Sequence, residues 1–276
     1  MTRIRAYHTI DRLSTNVLLI ARDKTVDLYD PIKEKINSTI NMNIPCAWHK
    51  SSTINISGNI KTLLSGGVPG NWSSAFLSSA NLFDSSNNTF ILRHMSVARY
   101  YHTSTSLPNG NILIAGGQTM GNGVLNSLEL FNSSSNSFVT IAATMSNNRY
   151  YHTATYIPSI QSILFAGGYI SGNINTYDLF NVTTLTFVRN GTLKYARCAH
   201  TATLLNDGRI LLVGGYPSMN QVEIFNPLTF TFSVAANLST GRSYHTATLL
   251  DHSGQVLVCG GDGASGYLKT CELYQP

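Results

Sequence analysis

Six histidines recur along this chain, His8, His49, His102, His152, His200 and His245, at spacings of 41, 53, 50, 48 and 45 residues. Imidazoles in that number are the residue type that ligates zinc or copper and moves protons near neutral pH. Most sit in a phrase of the form Arg-x-(Tyr)-His-Thr, which also supplies Arg5, Arg99, Arg149, Arg197 and Arg242. Further along each copy comes a carboxylate: Asp27, Glu129, Asp178, Glu223 or Glu272. The regularity itself argues against a catalytic centre. A residue repeated in every unit serves what every unit needs, and equivalent positions around a ring do not converge on one ion with tetrahedral geometry. The histidines are therefore assigned structural hydrogen bonds. Arginines and acids in equal number are read as bidentate pairs tying strands or blades together, with an open arginine ring for an anionic ligand as the competing reading. Neither a metal nor another cofactor is called for.

The elements that must hold these residues follow from the fifth copy. His200–Leu205 is apolar and β-branched, a first strand, and Asp207-Gly208 supplies a hairpin turn. Ile210–Val213 is a continuous apolar run of strand length, and so a second strand buried on both faces. Gly214-Gly215 ends it, where the backbone must bulge or approach a neighbour closely. Val222–Phe225 is a third strand, Asn226-Pro227 a turn, and Phe230–Val234 a fourth. A four-strand meander that is apolar on both faces is not stable alone in water. Copies stacked face to face around an axis are.

Composition narrows the class. Among 276 residues, 43% are hydrophobic and only 11% charged, with a net charge of +5 dispersed along the chain. That pattern excludes a nucleic-acid groove and a membrane-binding helix. No apolar run is long enough for a membrane span, and no signal-like apolar segment opens the chain. Eight Asn-x-Ser/Thr sequons lean towards secretion and leave the compartment open. Of the four cysteines, Cys259 and Cys271 face each other across an expected hairpin. A disulfide and two buried free thiols are both open, the thiols being the favoured state.

The double glycine, the downstream aromatic and the period near 50 resemble the kelch repeat, over essentially the whole chain. The resemblance implies an all-β fold, a six-bladed β-propeller with blades near 5–44, 45–98, 99–148, 149–196, 197–241 and 242–276. The fourth-strand Trp usual in that repeat is replaced by Phe90, Phe138, Phe187 and Phe232. Ala21-Arg22 stands where the first Gly-Gly would fall, so the early blades are expected to be less regular. The chain ends at Pro276 directly after a third strand, which predicts a last blade without its outer strand. The Tyr-His-Thr phrase is also similar to segments of the galactose oxidase family. That likeness makes a copper-radical oxidase one enzymatic alternative, and a sugar or metabolite isomerase another.

Recognition is expected on the edge where strand one begins, strand two ends and strand three begins. The connections between strands two and three vary most there, from 15 residues (Gly67 to Leu82) to 9 (Gly215 to Ile224). Trp48, Trp72, Phe76, Tyr100, Tyr150 and Tyr169, with Arg99 and Arg149 for polar contacts, are the candidate partner-binding residues. Packing between blades is the competing role for each aromatic, least so for Trp72 in mid-loop. The reading is a non-catalytic scaffold for a protein partner, with a glycan as the secondary option. Oligomeric state is left open.

Overall fold

The computed structural model describes residues 9–14, 16–56, 58–69 and 75–276. Trp72, Arg5 and His8 lie outside them. The chain divides into two compact units, Met1–Ala142 and Ala143–Pro276. Apart from two short 3-10 turns, the regular elements are all strands.

In the first unit, β1 (Thr9–Ser14), β2 (Val17–Asp30) and β3 (Lys35–Ala47) form the first sheet. The second comprises β4 (Lys50–Ile56), β5 (Asn59–Ser65) and, after the two-residue strand β6 (Val68–Pro69), β7 (Ser79–Asp84) and β8 (Thr89–His94). β6 leaves its own sheet and pairs with β3, Val68 opposite Ala47 and Pro69 opposite Cys46. The third sheet is β9 (Thr103–Ser106), β10 (Ile112–Ala115), β11 (Ser127–Asn132) and β12 (Ser137–Thr144). Successive strands are antiparallel neighbours, as a meander requires.

The second unit repeats the plan. β13 (Thr153–Ile157), β14 (Ser162–Ala166), β15 (Thr176–Asn181) and β16 (Thr186–Thr192) form the fourth sheet. The fifth is β17 (Thr201–Leu204), β18 (Ile210–Val213), β19 (Val222–Asn226) and β20 (Thr231–Ala235). The sixth has three strands, β21 (Thr246–Leu249), β22 (Val256–Cys259) and β25 (Cys271–Tyr274). Between its second and third strands lies a small hairpin of β23 (Asp262–Gly263) and β24 (Gly266–Tyr267). These sheets are the blades of an all-β, six-bladed β-propeller, the sixth with three strands among the described residues.

The core follows from the two-residue period of a strand. In β18 all four residues are buried. Ile210 and Leu212 pack with Leu164, Leu179 and Phe225, while Leu211 and Val213 pack with Val256 and Val258 of the next blade. One strand thus supplies two cores, and burying each such side chain contributes about 1.5–3 kcal/mol. The fourth-strand phenylalanines also have a defined place. Phe90, Phe138, Phe187 and Phe232 pack on Phe83, Phe131, Phe180 and Phe225 with ring centroids 4.9–5.2 Å apart.

Two departures have local causes. Without a glycine pair, the first blade runs through Ala21-Arg22 as one continuous strand of 14 residues. The favoured reading of Cys259 and Cys271 as buried thiols is corrected: the two form a disulfide. They stand directly opposite each other on β22 and β25, with Cα atoms 4.1 Å apart, and neither is buried. The buried free thiols are Cys46 and Cys198.

Candidate functional site

The edge of each blade that bears the Arg-x-x-His phrase is built by backbone first. Gly214 and Gly215 have φ of +63° and +129°, and Gly167 and Gly168 +62° and +118°, a region that L side chains avoid. A Cβ on Gly214 would run into the carbonyl oxygen of Arg242 in the next blade. Gly215 N–H donates to that same carbonyl at 2.9 Å, as Gly168 does to Arg197 and Gly67 to Arg99. The pair therefore turns the strand and docks the following blade.

The arginines lie inside this joint. Arg99, Arg149, Arg197 and Arg242 are fully buried, each with a carboxylate at 2.7–2.9 Å: Glu129, Asp178, Glu223 and Glu272. The expected bidentate geometry is not what forms. One terminal nitrogen takes the carboxylate, and the other donates to the carbonyl of the first glycine, Gly116, Gly167, Gly214 or Gly260. The carboxylates accept backbone N–H groups from the preceding connection as well, at Ser96, Ser146, Lys194 and Ser239. Burial pushes Arg149 down to about 10 even with Asp178 opposing it. These cations are consumed by the fold.

The histidines join neighbouring blades, three through the first strand of the blade before and His102 through the second. His49 Nε2 meets Thr9 Oγ1 at 3.0 Å, His102 meets Ser65 Oγ at 2.9 Å, His200 meets Thr153 at 3.0 Å and His245 meets Thr201 at 2.9 Å. Burial holds His49 and His245 down to about 4, and His102 and His200 well below the ordinary value, so these rings are neutral at pH 7. Among the described residues, no group of three or more His, Cys, Asp or Glu is placed to hold a metal ion.

Two residues precede each buried histidine after the arginine (Cys46 in the second blade); the first is part-exposed at Tyr100 and Tyr150 and buried at Ala47, Cys198 and Ser243. The second of them is always left-handed: Trp48, Tyr101, Tyr151, Ala199 and Tyr244 have φ of +50° to +54°. In the second unit these residues form a backbone ladder, Ala199 N–H to Tyr151 O and Tyr244 N–H to Ala199 O, each 3.0 Å. The conformation turns each side chain out of the joint. In the first unit, Trp48 lies 5.5 Å from Tyr101, Tyr101 4.1 Å from Tyr100, and Tyr100 4.3 Å from Phe76. All four are part-exposed. In the second unit, Tyr150, Tyr151, Tyr169, Tyr216 and Tyr244 surround a hollow of about 320 Å³, together with Cys198.

The family described as KLHDC2/KLHL20/DRC7 Kelch-repeats domain matches residues 49–261, well over half of the chain. This is a kelch-repeat protein. A solved structure described as "Structure of YjhT" is similar to it over 97% of this chain and 94% of that one, with a TM-score of 0.70 and 12% identity, which speaks for the fold alone. No curated protein matches.

On this kelch edge the structure sorts the candidate residues. Trp48, Phe76 and Tyr100 come together in one patch, and Tyr150 and Tyr169 line the hollow, paired as a β-bridge. Arg99 and Arg149, expected as polar contacts on the surface, are instead wholly buried and salt-bridged. Trp72 is outside the described residues. Tyr101, Tyr151 and Tyr244 were not anticipated, and neither were Tyr216 and Cys198. The signal for the first three was the position directly before each recurring histidine, which is aromatic in four of the five copies among the described residues.

Proposed function

We propose that this protein is a non-catalytic kelch scaffold that binds a protein partner through the aromatic patch of its first unit. One observation carries the reading: Trp48, Phe76, Tyr100 and Tyr101 are held part-exposed by left-handed backbone and by one another. Large aromatic side chains on a rigid support are the residues that dominate interface energies. The recurring side chains support a non-catalytic role, because Arg99, Arg149, Arg197, Arg242, His49, His102, His200 and His245 are each engaged in joining strands or blades. A partner captured by the purified chain, then prepared pure and titrated, is expected to bind at least about tenfold more weakly to Trp48→Ala and Phe76→Ala. Unchanged affinity in both variants, with folding intact by circular dichroism, would remove the patch from the interface.

A further inference from the structure

The hollow of the second unit differs in kind from the patch. Its lining, Tyr150, Tyr151, Tyr169, Cys198, Tyr216 and Tyr244, contains no acidic or basic side chain, and burial pushes the Cys198 thiol up to about 11. The rings meet steeply, Tyr150 and Tyr169 at 63° and Tyr151 and Tyr244 at 83°, with centroids 5.5 and 5.4 Å apart. Rings set at such angles make walls rather than a stack. Room inside comes from blade five, which places Cys198-Ala199 where blade four has Tyr150-Tyr151.

The electrostatics around it favour one sign of charge. Aromatic faces are negative in their quadrupole. Arg149, Arg197 and Arg242, which adjoin the lining segments in sequence, are each matched by a carboxylate. Asp262, which forms no ion pair with another described residue, stands close to Tyr244. Burial first, then Cys198, Asp262 and Tyr216, hold Tyr244 above the ordinary phenol range, while a hydrogen bond with Tyr151 pulls it back. A compact primary ammonium would need three acceptors to leave water. A trimethylammonium group spreads its charge over methyl surface and asks only for aromatic walls.

We propose that this hollow binds a trimethylammonium group, carried either by a small molecule of the choline type or by a trimethylated lysine side chain. Every lining residue belongs to the second unit, and the proposal does not rest on the role of the patch in the first.

The test is calorimetry on the full chain with choline, its neutral isostere 3,3-dimethyl-1-butanol, and capped trimethyllysine beside capped lysine. Choline should bind about fivefold or more tightly than the isostere, and trimethyllysine likewise over lysine. Whichever cation binds more tightly identifies the source. Equal binding of choline and its isostere, or no heat from either cation, overturns the proposal. Tyr244→Phe should keep the affinity and Tyr244→Leu lose most of it; loss in Phe would mean hydroxyl recognition and would also overturn it. Ala199→Tyr installs the side chain that Tyr101, Tyr151 and Tyr244 already present from the same backbone conformation. A folded Ala199→Tyr that still binds choline normally would place binding elsewhere and sink the assignment. Partner affinity of the Trp48 and Phe76 variants is measured apart, so either idea can fail without the other.

Discussion

The aromatic patch of the first unit and the tyrosine hollow of the second are built on the same frame and end differently. Both include residues that directly precede a buried histidine, Trp48 and Tyr101 in one and Tyr151 and Tyr244 in the other, all in the left-handed conformation. In the first unit the rings fill one another's space, with centroids as close as 4.1 Å. In the second, a cysteine and an alanine take the corresponding places in blade five, and the rings around them enclose a volume instead. Repeated residues set the platform, and single departures from the repeat decide what the platform presents. Size at two positions separates a closed surface from a cavity.

The strongest way to break this comparison is to remove the shared frame. Arg99→Met and Arg197→Met each strand a buried carboxylate, Glu129 or Glu223, and each should lose about 3–5 kcal/mol in urea unfolding. A much smaller loss in one unit would mean that the two platforms are not equivalent.

Acid attacks the frame through its histidines. His49 and His245 are held down to about 4, against an ordinary 6.5. The unfolded chain takes up protons in that window and the native chain does not, so stability falls as pH falls from about 6.5 to about 4. The slope is roughly 1 kcal/mol per pH unit per histidine. Urea midpoints measured at pH 7 and pH 5 check it, and His245→Gln should show a shallower dependence.

The aromatic residues should then separate. Tyr100→Ala removes a ring in contact with Trp48, Phe76 and Tyr101, and should lower stability by about 2 kcal/mol. Tyr244, 49% exposed beside open volume, should cost less than about 1 kcal/mol as Tyr244→Ala. Equal losses would erase the distinction between patch and hollow. Ala199→Tyr is the mildest change, expected within about 0.5 kcal/mol of the parent because the backbone already suits that residue.

Much of the architecture is legible in the sequence because it is written in local patterns repeated many times. Ile210–Val213 reads as a doubly buried strand from four apolar letters, and Gly214-Gly215 as a place where backbones meet. The site is harder, because it depends on what lies between blades. Arg99 and Arg149 look like surface contacts until the geometry shows a carboxylate and a glycine carbonyl waiting for each guanidinium. Equal numbers of in-phase acids already pointed that way. The left-handed turn at Tyr101, Tyr151 and Tyr244 has no signature of its own, since these are ordinary tyrosines in an unusual conformation. The cysteine pair shows the same limit: spacing allows both states, and only the cross-strand register decides between them.

Among the described residues the sixth sheet has three strands, and β25 pairs there with β22 alone. Leu273 is 53% exposed there, whereas Ile224 at the corresponding place in blade five is 7% exposed. Cys259–Cys271 joins β25 to β22 covalently at this margin. Thiol reductants should therefore loosen β25 ahead of every other blade, which makes the integrity of that margin a property of the surrounding redox medium as much as of the fold.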